Sequence, residues 1–274
     1  MSLSKKIDFA VVFRVNHANP NGDPLNGNRP RITLESLGEV SDVCIKRKIR
    51  NRLKDEGEKI FVQSDDNKDD DFRSLRERAE SVLPKTGTPE EKAKVACKEW
   101  LDVRAFGQVF AYKGSGKSKG DGLSIGVRGP VSVHPAFSVD TVEVTSTQIT
   151  KSVSGEGDGS KKSADTMGMK HRVDFGVYNF FGSMNPQLAD KTGFSDADAE
   201  AIKFVLPKLF ENDASSARPE GSMEVLKVVW WEHNHRSGDV SSAKIHRSLK
   251  VNSDGSIDIE TVDNGPEPKI LNGF

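Results

Sequence analysis

No apolar run in this 274-residue chain comes near the roughly 20 residues that cross a bilayer; the longest, FAVVF at 9–13 and VLKVVWW at 225–231, are strand-sized. No membrane segment is expected. Residues 1 to 8 carry Lys5, Lys6 and Asp8, with no apolar stretch and no small-residue cleavage site, so no secretory leader is expected either. Cysteine is scarce. Cys44 and Cys97 lie far apart in segments that read as helices, without a thiol or imidazole at ligand spacing, which points to reduced, buried thiols in the cytoplasm rather than a bridge or metal site. A charge of one sign is missing too: 40 basic against 41 acidic residues give −1, which argues against a surface coated in positive potential.

What is present is a core with polar excursions. Hydrophobic content of 35% and charged content of 30% suit one core carrying sizeable insertions. The charges are segregated: residues 41–54 hold Lys46, Arg47, Lys48, Arg50, Arg52 and Lys54 against Asp42, whereas DDNKDDD at 65–71 holds five acids against Lys68.

KIDFAVVFRVNH predicts a first strand from its Phe, Val and Ile content. SDVCIKRKIRNRLKDEG predicts a helix capped by Ser41 and ended at Gly57, with Ile45, Ile49 and Leu53 on one face and a basic outer stripe on the other. TPEEKAKVACKEWLD opens with a capping box, Thr88 with Glu91, and Pro89 at the first helical position. FRSLRERAESVL reads as an irregular or helical insertion before it. A β-rich stretch, GVRGPVSVHPAFSVDTVEVTSTQITKS, and the strand HRVDFGVYNFFG flank a polar, Gly-rich tip, which describes a long protruding hairpin. FSDADAEAIKFVLPKLF then predicts a helix capped by Ser195, MEVLKVVWWEHNH a strand, and KIHRSLKVNSDGSIDIETV a hairpin about Asp254-Gly255. Strand, helix, strands, helix, strand fits an α+β, ferredoxin-like domain.

Several chemistries find little support. Gly116-Lys117-Ser118 lacks the first glycine of a phosphate-cradling loop, since Ala111 stands there, and KGDG follows where a helix should open. His233 and His235 would share one strand face without a third ligand, so a polar sheet face is expected. Asp23 is a lone carboxylate, and metal catalysis draws on several ligands. Phe175, Gly176 and Phe180 match part of a base-stacking sheet pattern, but Val173-Asp174 replaces its basic-Gly start, and sheet core is expected instead.

Together NPNGDPLNGNRPR, SDVCIKRKIRN, DVRAFGQVF, GVRGPVSVHPAFSVDTVEVTSTQIT and MGMKHRVDFGVYNFFGSMNP resemble the backbone subunit of type I-C CRISPR Cascade complexes, a RAMP-like family. The resemblance spans most of the chain; residues 55–95 and the C-terminal tail carry little of it. It implies an RRM-like palm over 1–274 with a helical finger inserted at 55–100 and a thumb hairpin at 140–172. It further implies copies stacked head to tail along one CRISPR RNA (crRNA) in antiviral defence, contacting target DNA through that RNA, beside a large subunit and a crRNA-processing end-cap subunit. No catalysis, cofactor or metal is expected. The alternative is a metal-dependent ribonuclease of the type III-like backbone kind, using Asp23.

A subunit that holds any guide must grip phosphates and sugars rather than base edges. Asn-Gly and Asn-Pro turns present backbone N–H groups, so Asn19, Asn21, Gly22, Arg29 and Arg31 are expected to form a backbone clamp, with Lys46, Arg47 and Arg50 beside it. On the hairpin, Met167 and Met169 would wedge between nucleotides while Gln148, Lys161, Lys162, Lys170, His171 and Arg172 hold the strand.

Overall fold

IDFAVVF has no polar alternation, and a strand of that kind has to be covered on both sides. In the computed structural model, which describes residues 2–112, 123–150 and 167–274, this strand, β1 (Ile7–Ala18), buries Phe9, Val11, Phe13 and Val15 on one face and Asp8, Ala10 and Val12 on the other. Two short strands follow, β2 (Gly22–Asp23) and β3 (Arg29–Pro30), then β4 (Leu37–Val40). Four helices come next: α1 (Asp42–Asp55), α2 (Leu75–Val82), α3 (Pro89–Glu99) and α4 (Leu101–Phe106). A hairpin of β5 (Gly107–Tyr112) and β6 (Leu123–Arg128) precedes β7 (Val131–Val133), β8 (Ala136–Thr141), β9 (Val144–Thr150) and β10 (Met167–Met184). The chain closes with α5 (Pro186–Thr192), α6 (Asp196–Val205), β11 (Met223–Glu232), α7 (Ser242–Ser248), β12 (Leu249–Val251), β13 (Ile257–Ile259) and β14 (Pro268–Asn272). It is a mixed α/β fold about one central antiparallel sheet, ordered β14-β11-β1-β10-β8-β4, with β7 and β9 also paired to β10.

The main core lies between this sheet and helices α1, α5 and α6. Ile45, Ile49 and Leu53 of α1 reach it, Ser41 caps that helix by accepting from the Cys44 N–H at 3.3 Å, and Gly57 leaves it at φ +91°. Phe9 stacks on Trp230 with centroids 5.6 Å apart, and only a glycine at 182 leaves room: a Cβ there would stand 2.2 Å from the tip of the Phe9 ring. Ala10, Val229, Trp231, Ile245 and Leu249 form a smaller core on the opposite face, beneath α7 and the β12–β13 hairpin. Of KIHRSLKVNSDGSIDIETV, therefore, only the second half is the expected hairpin; Ser241 caps α7 by accepting from Lys244 N–H, and the buried Ile245 draws that turn onto the sheet. Helix α5 went unread, although Asn185-Pro186 and Gly193 at φ +78° are ordinary start and stop signals.

A third core belongs to the insertion after α1. Phe61 packs against Trp100 and Phe110 at 4.7 and 5.0 Å between centroids, with Ala79, Leu83 and Ile125 around them. It thus takes in the β5–β6 hairpin, beyond the boundary at 100 drawn from sequence. The joint to the main core is Asp102, whose carboxylate accepts from Phe61 N–H at 2.7 Å, Val62 N–H at 3.1 Å and Arg50 Nε at 2.9 Å.

His233 and His235 do not share a strand face. β11 stops at Glu232, the chain turns, and His233 is sealed in with its Nε2 2.8 Å from Asp8 Oδ2 and its Nδ1 accepting from Asp239 N–H at 2.9 Å, while His235 is 76% exposed. Burial pushes the Asp8 carboxyl up, but bonds to His233, His246 and Ser242 and the charge of Lys6 outweigh it and hold the group well below the carboxylate range. A carboxyl with a lowered folded value adds stability above its unfolded value, here 3.8, and loses it as pH falls below that. Acid melts should therefore show stability declining below about pH 4, with a shallower decline in D8N. Equal slopes would contradict it.

Candidate nucleic-acid interface

The first wall of the site is the loop after β1. His17 takes φ +51° one residue before the last ladder pair, Ala18 with Val173, after which Asn19 turns inward, its N–H on the Ala217 carbonyl at 2.9 Å and its Nδ2 on the Asn28 carbonyl at 2.7 Å. β2 and β3 pair as a miniature hairpin, Gly22 opposite Pro30. Asp23 caps the intervening 3₁₀ turn by accepting from Leu25 N–H at 3.1 Å, and Gly27 and Asn28 both stand at φ +59°. At Gly22 a Cβ would lie 2.0 Å from Asn28 Oδ1, so a larger residue there would turn the exposed Asn28 side chain aside.

This corrects part of the clamp expected from sequence. The turns close on themselves instead of offering their N–H groups: those of Asn19, Asn28 and Arg31 go to the carbonyls of Ala217, Asp23 and Asn21. Asn21 Oδ1 accepts from both Ser41 N–H and Ser41 Oγ at 2.9 Å, tying the loop to the start of α1. Arg31 lies 3.6 Å from Asp23. Among the described residues Arg29 reaches across, donating from Nη1 to Ser146 Oγ at 2.8 Å.

Ser146 belongs to the second wall, the projecting pair of β9 and the first half of β10, registered from Met167 opposite Thr150 to Val173 opposite Val144. His171 Nδ1 sits 2.9 Å from the same Ser146 hydroxyl. Arg172 donates to Asp174 at 3.0 Å, and that carboxyl is held below its ordinary range by the Thr145 hydroxyl and by Arg172. Gln148 Nε2 lies 3.3 Å from Met167 Sδ, and Met167 and Met169 are 59% and 55% exposed. Lys170 is exposed and forms no ion pair among the described residues. Lys161 and Lys162, with the hairpin tip, lie outside the described residues.

Between the walls runs a groove of about 220 Å³, lined by Asn19, Gly27 and Asn28 on one side, Ile149, Met169, Lys170 and His171 on the other, and Ser216 and Ala217. Its walls mix thioether and aliphatic surface with cationic and amide groups. It can take a flat apolar ring against Met169 and Ile149 while Lys170 and His171 face an anion, with Arg29 alongside on Ser146. Ser216 and Ala217 were missed, for they arrive by the backbone bond between Asn19 and Ala217, residues far apart in the chain, which leaves no local pattern.

A family model for CRISPR-associated protein Cas7 matches residues 5–267. The chain belongs to the Cas7 family. The CRISPR-associated protein Cas7 of Haloferax volcanii is 24% identical over 291 residues, covering 96% of this chain and 80% of that one. A chain of a solved CRISPR RNA-guided surveillance complex, described as pre-nicking, aligns with a TM-score of 0.52 at 14% identity over 92% of this chain and 84% of its own, a likeness of fold. The Cas7 match takes in both walls of the groove and the helical insertion and stops just before β14.

The basic stripe of this Cas7 chain does not join the groove lining. Lys46 pairs with Asp42 at 2.9 Å, Arg47 donates to the Val62 carbonyl at 2.6 Å, and Arg50 is held by Asp102 while lying 5.0 Å over the Phe106 ring. Burial and the neighbouring Arg50 pull the Arg47 guanidinium below its ordinary range. Lys48 and Arg52 are buried, Lys48 against Asp213 and Arg52 against Asp55 and the Glu211 carbonyl. Arg47, Lys48, Arg50 and Arg52 fasten α1 to its surroundings and Lys46 pairs within the helix, so the stripe is not the solvated face that periodicity suggested. Phe180 is core at 1% exposure and Phe175 is 51% exposed, so the two rings of the suspected stacking pattern do not form one platform. Among the described residues no three His, Cys, Asp or Glu side chains gather as a metal site.

Proposed function

We propose that this chain is a backbone subunit of a type I-C surveillance complex. Copies line up head to tail along a guide RNA, each gripping the sugar-phosphate chain without reading its letters and leaving base edges free for target DNA. The observation that carries the reading is the groove, which sets cations beside apolar surface at the foot of a projecting two-stranded arm. A binder indifferent to sequence needs both: charge for phosphates and an apolar shelf for an unstacked base. Sequence discrimination then falls to base pairing.

The strand order β11-β1-β10-β8, with α1 connecting the first two sheet segments and α5–α6 the last two, supports an RRM-like palm. The separate core about Phe61 supports a finger, and the β9–β10 arm a thumb. The five sequence blocks support the type I-C assignment. We read the subunit as holding RNA rather than cutting it, because Asp23, among the described residues, stands as a lone carboxylate whose Oδ1 caps the 3₁₀ turn and faces Arg31 at 3.6 Å, and metal-assisted cleavage draws on several ligands.

Co-expression with a guide tests the assembly, which should elute as several copies per RNA, whereas a free-standing RNA-binding module would elute as one. In the M167A/M169A variant the periodic nuclease footprint on the bound guide should flatten, since separating stacked bases costs a few kcal/mol per step and needs an apolar wedge. An unaltered footprint would remove the methionines from that role.

A further inference from the structure

Helices α3 and α5 flank a cleft of about 520 Å³ with Cys97 and Thr192 in its lining. Lys94 and Lys98 on α3 and Lys191 on α5 stand around it, all exposed and none in an ion pair among the described residues. The acids nearby are already engaged: Asp198 takes two bonds from Arg104, at 2.7 and 3.1 Å, and Asp190 one from Arg236 at 2.5 Å. The cleft therefore presents uncompensated positive charge.

It is not a continuation of the groove. The cleft lies at the start of β1, where Leu3 N–H meets the Phe194 carbonyl at 2.9 Å and Ser4 N–H meets Asp196 at 2.8 Å. The groove lies past the other end, at Asn19. The 12 residues of β1 separate them, a span of roughly 40 Å at strand rise.

The acidic segment 65–71 offers the complementary surface. Asp70 is bound by Arg78 through two bonds of 2.6 and 2.7 Å, and Asp66 is turned towards Ser64. Asp65, Asp69 and Asp71 are exposed and make no ion pair among the described residues. One chain thus carries an unpaired set of carboxylates and an unpaired set of ammonium groups that do not meet each other. A heterologous contact between copies is the arrangement that brings two such unlike patches together. We propose that the acidic segment of one copy docks in the lysine-rimmed cleft of the next.

This inference rests on the head-to-tail reading above but needs no RNA, so the two can be tested apart. A mixture of ¹⁴N- and ¹⁵N-labelled protein is treated with a zero-length carbodiimide, with and without guide RNA, and cross-linked peptides are mapped. Amide links between Asp65, Asp69 or Asp71 of one isotope and Lys94, Lys98 or Lys191 of the other are expected in both conditions and should fade with added salt. In parallel, K94E/K98E/K191E and D65K/D69K/D71K should each lower the fraction of guide carrying several copies by roughly tenfold. A chain carrying all six reversals should recover it, which also shows that the chain tolerates the changes.

Links confined to one isotope, or assembly unchanged in both triple variants, overturn the docking. So does a lysine variant that assembles normally but no longer retains duplex DNA, which would assign the cleft to a phosphate backbone. If the intermolecular links form while the unaltered chain fails to line a guide in several copies, the guide-lining reading fails and the docking stands.

Discussion

Replacing Asp102 with alanine should cost the protein roughly 3–5 kcal/mol of stability, the usual consequence of removing one partner of a buried charge pair. Asp102 is 1% exposed and holds the Arg50 guanidinium together with two backbone N–H groups of the segment that enters the insertion. Without the carboxylate, Arg50 is left as an unpaired cation against Phe106 and both N–H groups lose their acceptor. Urea titration gives the magnitude, and amide exchange gives the place. Protection should fall first around Phe61 and Trp100, with β1 and β10 following only at global unfolding. A loss under about 1 kcal/mol, within what surface substitutions commonly cost, would mean that Asp102 does not join the two cores. A cycle with R50M separates the ion pair from the backbone bonds.

The second large effect concerns binding. Lys170 lines the groove and Arg29 lies beside it on the Ser146 hydroxyl that His171 also contacts, neither with a carboxylate partner among the described residues, whereas Arg47, Arg50 and Lys46 are fastened elsewhere. R29A/K170A should therefore weaken guide binding by about ten- to a hundredfold near 0.15 M salt and reduce the log–log salt slope by about 1.4, some 0.7 per single-strand phosphate lost. The loss should be the same for guides of unrelated sequence. K46A should leave the slope where it was. A double variant that keeps the full slope would move the phosphate contacts off this groove, and a loss that depends on guide sequence would indicate base reading instead.

Which parts of this were readable in the residues follows from how local their causes are. Ser41, the Thr88–Glu91 capping box and Ser195 specify helix starts within four residues, and all three cap as read. The Phe, Val and Ile content of β1 marked a strand with one face buried, and the structure covers both. Charge patterning misled where partners are distant: Arg50 finds Asp102 and Lys48 finds Asp213, so a stripe that looks solvated on a helical wheel is largely structural. The Asn19-Pro20 turn misled in the same way, since the acceptor for the Asn19 N–H is Ala217, far along the chain. Of the groove, Asn19, Met169, Lys170 and His171 were anticipated, while Ser216, Ala217 and the shelf at Ile149 were not. His233 illustrates the limit: its partner Asp8 is 225 positions away.

The 18 residues of β10 form one uninterrupted strand, paired with β1 over Val173–Met184 and, among the described residues, with β9 over Met167–Val173. Such a member behaves mechanically as a cantilever. A load at its Met167 end is borne by the middle of the sheet, since no loop interrupts the strand between Met167 and Met184. A row of identical cantilevers would mark out equal intervals along anything threaded past them, a ruler whose graduation comes from the pitch of the row and not from the thread.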